Sequence, residues 1–171
     1  SSTLPSNFRK CTLRFDEINL NESILKAVGD LGFESLTPVQ EAAIPALLNG
    51  DDIMAQAQTG SGKTAAFTIP VLTKLMESEP PEDGAPRALI LAPTRELALQ
   101  IASDADQLGT YCDLRIQSCI GGTKWEKQAR ALQEGVDIVV GTPGRLLDFY
   151  KRGILKLHRI EVFVLDEADR M

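Results

Sequence analysis

Histidine and cysteine are scarce in this chain: one histidine, His158, and three cysteines, Cys11, Cys112 and Cys119, stand among 171 residues. A disulfide framework or a zinc site needs more such ligands at closer spacing, so the cysteines read as core or edge residues of a chain expected in a reducing cytoplasm. A lone histidine with no paired base reads as structural rather than catalytic. Long hydrophobic runs are absent too. Crossing a bilayer as a helix takes about eighteen apolar residues in a row, and no stretch approaches that, so no membrane partner is expected. The opening residues, Ser1 to Asn7, are polar with no apolar core segment, and residues 1–12 read as a short lead rather than a secretory signal. Basic excess is missing as well, the formal net charge being −6. That argues against holding nucleic acid by a broad basic face, although backbone amides, helix N-termini and a few placed arginines engage phosphates without dominating the total charge.

What is present is an ordinary globular composition, 43% hydrophobic and 25% charged, at the length of one domain. Short β-rich runs at Asp52–Ala55, Ala88–Ala92, Leu114–Ile120, Asp137–Val140 and Val162–Leu165 alternate with amphipathic patterns. The helices expected are Glu22–Leu31, Val39–Leu48, Lys63–Met76, Arg95–Leu108, Lys124–Gln133 and Gly144–Lys151. Repeated βα units of this kind imply an α/β fold with a parallel sheet, helices on both faces, and ligands at the carboxyl ends of the strands. Pro70 should kink or end its helix. Glu77 to Pro86, rich in proline and charge, reads as a surface loop tolerant of insertion.

Ala57-Gln58-Thr59-Gly60-Ser61-Gly62-Lys63-Thr64 lies between the first strand candidate and a helix, the setting a phosphate-binding loop requires. Glycines let backbone N–H groups close over an anion, and the helix aims its positive end there. Lys63 would meet the β/γ-phosphates and Thr64 would hold Mg²⁺. Ala57 stands where the strict pattern has glycine. About a hundred residues later the strand Val162–Leu165 ends in Asp166-Glu167-Ala168-Asp169. Asp166 would hold the metal, directly or through water, and Glu167 would position or deprotonate the attacking water. An acidic turn capping a helix is the other reading of those four residues.

Taken with further motifs, the chain resembles the DEAD-box RNA helicases over nearly all its length. Phe15, Gly32-Phe33, Thr37-Pro38 and Gln40 match that family's adenine-reading element; a glutamine amide pairs with the N6 and N7 edge of adenine and an aromatic ring stacks on the base, implying ATP as the nucleotide. Thr37-Pro38 also reads as a cap and first-turn proline, and both readings hold together. Pro93-Thr94-Arg95, Gly121-Gly122 and Thr142-Pro143-Gly144-Arg145 each follow a strand, and the resemblance implies that they grip the sugar-phosphate backbone of one RNA strand. Thr142-Pro143-Gly144 alone is equally a helix start. Contacts of this kind are independent of base sequence, and RNA would be told from DNA by the 2′-hydroxyl and strand shape.

The resemblance implies an RNA-dependent ATPase and RNA helicase with a RecA-like fold, residues 13–171 forming its first domain. The runner-up readings are an ATP-gated RNA clamp or scaffold and another nucleic-acid-dependent ATPase of the same superfamily. The family's Ser-Ala-Thr motif, on a strand between the phosphate-loop strand and the acidic-box strand, does not follow Asp169, so an incomplete sheet is expected. A second RecA-like domain, which in the family completes the ATP site with arginines, is a further expected partner; such arginines are worth roughly 10³–10⁵ in rate, so this segment alone should hydrolyse ATP very poorly. Leu165, Arg170-Met171 and Ala57-Gln58-Thr59 look similar to bacterial members, among them those that work with RNA-turnover or ribosome-assembly proteins.

Overall fold

The computed structural model describes residues 14–15, 20–33, 35–36, 40–41, 44, 63–122 and 124–165, with backbone only at residues 63–65. Within them the chain runs α1 (Glu22–Asp30), α2 (Lys63–Met76), β1 (Ala88–Leu91), α3 (Arg95–Leu108), β2 (Ile116–Cys119), α4 (Trp125–Glu134), β3 (Ile138–Gly141), α5 (Pro143–Lys151) and β4 (Val162–Leu165). Gln40, Glu41 and Ile44 are helical too, inside the expected Val39–Leu48 helix. The expected strand Asp52–Ala55 lies outside the described residues.

All strand pairs are parallel and the sheet order is β2-β3-β1-β4. Alternation along each strand divides the core. Ala88, Ile90, Ile138 and Val140 join α1, α2 and α3 in one cluster, whereas Leu89, Val139 and Cys119 join α4 and α5 in the other. Near-continuous apolar strands such as Ile138-Val139-Val140 are what a sheet covered on both faces requires. β4 breaks the pattern: Val162 and Val164 pack on the first cluster, but Phe163 is 54% exposed and Leu165 is also exposed. Among the described residues β4 is one of the two edge strands, on the side where a further strand is expected.

Element ends follow local chemistry. Asn21 caps α1 by accepting from the Ser23 N–H at 2.9 Å. α5 begins at Pro143, one residue before the sequence expectation, because proline's fixed φ and missing N–H suit a helix's first turn. α4 begins at Trp125 rather than Lys124, whose φ of 67° takes it out of the helix. Pro70 does not end α2. Ala66, Phe67, Ile69, Val71, Leu72 and Leu75 are buried on that helix, and their packing outweighs the lost backbone hydrogen bond. The surface loop is anchored at its far end, where Gly84 and Gly135 approach so closely that a Cβ on Gly84 would lie 3.0 Å from the Gly135 Cα. His158 has a structural partner there, its Nε2 lying 2.8 Å from Asp83 Oδ2.

Candidate nucleic-acid interface

Strand register builds the site. Leu91, Cys119, Gly141 and Leu165 lie in one row across the sheet, so the segments that follow β1, β2 and β3 emerge together at its carboxyl edge. There they form a cleft of about 630 Å³, walled by Pro93, Thr94 and Arg95 from the first segment, Gly121 from the second, and Thr142, Gly144 and Arg145 from the third. Backbone bonds hold the three in place: Ala92 N–H donates to Gly141 O at 2.9 Å, and Thr142 N–H to Cys119 O at 3.1 Å. Three stretches well separated in sequence thus share one wall.

Two helices point their N-termini into the cleft. Thr94 caps α3, its hydroxyl accepting from the Leu97 N–H at 3.2 Å. Thr142 occupies the cap of α5 in extended conformation and makes no side-chain capping bond, which leaves its hydroxyl for another partner. Such ends present N–H donors and positive potential to an anion. Arg95 is exposed and lies across Gly122, whose φ of +98° suits glycine. Arg145 is half-buried, stacked with its Cζ 5.6 Å from the Phe149 ring centroid, and donates to Gln128 Oε1 at 2.8 Å.

Two residues of this site, Asp148 and Gln128, escape a motif reading. Asp148 and Glu96, the residue that follows Thr94-Arg95, place carboxylates in the cleft wall. Asp148 is committed elsewhere: Arg152 Nε donates to Oδ1 at 2.8 Å and the Trp125 indole to Oδ2 at 2.8 Å, and these bonds, the Arg152 bond first, hold its carboxyl below the usual range. Gln128 is buried on α4 beside Ala129 and Leu132. A polar residue on that otherwise apolar stripe was the one signal available in the sequence. Beneath the cleft, burial pushes the Cys119 thiol up to about 12, so it is an inert core group.

The arrangement suits a polyanion: two helix N-termini, two guanidinium groups and close backbone at glycine, with no aromatic ring among the described residues of the wall on which a base would stack. Of the residues expected to read adenine, Gln40 is buried and helical, and Phe15 is buried with its ring centroid 6.4 Å from that of Phe33. Phe33, 45% exposed, carries the solvent-facing ring of that pair. Lys63 and Thr64 are the first two residues of α2. Thr37, the loop residues Ala57, Gln58, Thr59, Gly60, Ser61 and Gly62, and the acidic pair Asp166 and Glu167 lie outside the described residues. Among the described residues no cluster of three or more His, Cys, Asp or Glu side chains forms a metal site.

Comparison with known proteins agrees with this geometry. The chain is 48% identical over 160 residues to the ATP-dependent RNA helicase DeaD of Haemophilus influenzae, covering 93% of this chain and 25% of that protein. It is 49% identical over 162 residues to the ATP-dependent RNA helicase RhlB of Pseudomonas aeruginosa, covering 92% of this chain and 41% of the relative. The chain therefore spans well under half the length of these relatives. A crystal structure of a DEAD box protein from the hyperthermophile Methanococcus jannaschii superposes with a TM-score of 0.83 at 45% identity, over 92% of this chain and 42% of that one. The DEAD/DEAH box helicase family model matches residues 37–171, a span that takes in every strand-end segment of the cleft and the Asp166-Glu167-Ala168-Asp169 box; the chain belongs to the DEAD/DEAH box helicase family.

Proposed function

We propose that these residues form the first RecA-like domain of an ATP-dependent RNA helicase, which binds ATP and the sugar-phosphate backbone of single-stranded RNA to separate short duplexes or remodel RNA–protein complexes. One observation carries the reading: Thr94 and Arg95, Gly121, and Thr142, Gly144 and Arg145 line one cleft at the carboxyl edge of the sheet whose strand β4 runs in sequence into the acidic box. Lengths agree with a longer protein, since the relatives extend far beyond the matched span, and a second RecA-like domain is the natural occupant of the remainder. The free, buried thiols of Cys112 and Cys119 support a reducing cytoplasm as the compartment.

On the nucleotide side, residues 57–64 would cradle the phosphates, with Lys63 at the β/γ-phosphates. The fit rests on two features. α2 begins at Lys63, directly after that segment in sequence, which suits a helix N-terminus to a phosphate site, and β4 ends at Leu165, one residue before Asp166 in sequence, in the row at the carboxyl edge. Thr64 and Asp166 supply the hard oxygen donors that Mg²⁺ prefers, and when bound the ion neutralises charge on the phosphates. Gln40 would read the adenine edge, the Phe33 ring would cover the base, and Glu167 would orient the attacking water.

Turnover of ATP by the full-length protein, measured alone, with single-stranded RNA and with matched DNA, tests this. Strong stimulation by RNA is expected. Equal stimulation by DNA would move the assignment to a general nucleic-acid-dependent ATPase, and RNA held tightly under ATP without strand separation would make it a clamp. Glu167→Gln should keep ATP binding and stop turnover.

A further inference from the structure

Arg145 and the Gly121-Gly122 turn arrive at the cleft from different strands, yet one atom holds both. Gln128 Oε1 accepts from the Ile120 N–H at 3.2 Å and from Arg145 Nη1 at 2.8 Å, and Gln128 is 4% exposed. We infer that Gln128 is a positioning residue for RNA backbone binding, fixing the Arg145 guanidinium and the start of the Gly121-Gly122 turn in one relative placement. The inference rests on the RNA reading of the cleft proposed above.

Chemistry allows one orientation of the amide. Both neighbours are donors, and a carbonyl oxygen has two lone pairs; turning the amide over would set its NH₂ against two N–H groups. The Ile120 N–H lies one residue beyond β2 and is buried, so the Gln128 oxygen gives it a partner just past the end of the strand. Arg145 is fixed from two sides, by this bond and by the Phe149 ring. Arg145 also lines the cleft, and a guanidinium has donors to spare beyond the one given to Gln128.

The neutrality of the acceptor matters. Arg152, one turn beyond Asp148, is paired with a carboxylate, which cancels its charge locally. Gln128 instead orients Arg145 through a neutral amide, adding no carboxylate to that of Asp148, which already acts on Arg145 across the cleft wall. A glutamate would preserve both hydrogen bonds and remove that advantage.

The test is the affinity of the full-length protein for a fluorescein-labelled oligouridine across a salt series, for Arg145→Gln, Gln128→Met, Gln128→Glu and the Arg145→Gln/Gln128→Met pair. Gln128→Met keeps the volume and loses both bonds; its affinity should fall about tenfold, the scale of one hydrogen bond to a charged group. The double variant should lose less than the sum of the two single losses, because the part of the Gln128 role that acts through Arg145 is already gone; any loss beyond that of Arg145→Gln alone reads the Gly121-Gly122 turn. Gln128→Glu should lower the slope of log affinity against log salt by about 0.7, one phosphate contact on a single strand. Unchanged affinity in Arg145→Gln would remove the RNA reading of the cleft and this inference with it. Loss in Arg145→Gln together with wild-type behaviour in Gln128→Met would overturn the inference alone, as would additive losses in the pair. If Gln128→Met does not fold, Gln128→Glu decides: a wild-type slope and affinity would overturn the positioning role.

Discussion

The Arg95 guanidinium rests on Gly122: a Cβ at Gly122 would lie 3.0 Å from Arg95 Nη1 and 3.3 Å from its Cζ, and the Gly122 φ of +98° is one that other residues rarely adopt. Glycine there does two things, permitting the turn and leaving room for the arginine above it. Gly122→Ala should therefore cost about 1–3 kcal/mol of stability through backbone strain. It should also weaken RNA binding, because the flexible arginine is the group that yields. Gly121→Ala meets nothing within 4 Å and has ordinary φ, so its stability should stay near wild type. Chemical denaturation and RNA titration of both variants check the contrast, and equal stability losses would show that the turn does not depend on Gly122.

Gly141, the last residue of β3, is a harder constraint. A Cβ there would sit 2.6 Å from the Cys119 carbonyl oxygen and 2.8 Å from Leu146 Cδ2, both inside the packed junction of β2, β3 and α5. Backbone cannot move aside as a side chain does. Gly141→Ala is expected to destabilise by about 1–3 kcal/mol, as overpacking of a core does, and to displace the Thr142–Arg145 segment that starts from it. The midpoint of urea unfolding reads the first effect. A midpoint equal to wild type would mean the junction has slack that the geometry does not show.

Much of this architecture is legible in the sequence because the signals are local. Apolar runs such as Ile138-Val139-Val140, each followed by a turn residue and an amphipathic stretch, specify βα units, and parallel register then brings their ends to one edge without further information. Thr94, Gly122 and Thr142 are recognisable as cap or turn residues from their types alone. Gln128 and Asp148 are not, since what makes them part of the site is a contact across the fold: Gln128 with Ile120 and Arg145, Asp148 with Trp125 and Arg152. Pro70 shows the other side of a local signal: it does not end its helix, because packing along α2 carries the helix through it.

Arg87 and Asp137 join the two ends of the region that carries β1 and β3. Arg87 Nη2 meets Asp137 Oδ1 at 3.0 Å, with side-chain exposures of 4% and 15%. Arg87 Nη1 donates to Leu75 O at 2.9 Å and to Ser78 O at 3.1 Å, closing the C-terminal end of α2, while the other Asp137 oxygen accepts from the Arg115 N–H. Removing the arginine strands a carboxylate and two carbonyls. Arg87→Leu should cost about 3–5 kcal/mol, the scale for breaking one side of a buried pair. Equilibrium unfolding measures it, and a loss below about 1 kcal/mol, the range of exposed ion pairs, would show that water replaces the guanidinium.

Trp125 offers an optical report on the cleft wall, being the chain's only tryptophan. Its indole N–H donates to Asp148 Oδ2, and Arg152 both binds the other oxygen and lies with its Cζ 5.3 Å from the indole centroid. These contacts hold the Asp148 carboxyl below its ordinary value of 3.8. A carboxylate with a depressed folded value binds its proton more weakly folded than unfolded. Its contribution to stability is thus complete above the unfolded value and disappears as pH falls through the folded one. Trp125 emission should accordingly be flat from neutral pH down to about 4 and change only below that, where protonation weakens the indole and Arg152 bonds. Asp148→Asn should remove this transition and, by freeing Arg152 to move off the ring, alter the emission at neutral pH. An emission change centred near pH 6 would instead point to another group, and an identical low-pH transition in Asp148→Asn would separate Trp125 from Asp148 altogether.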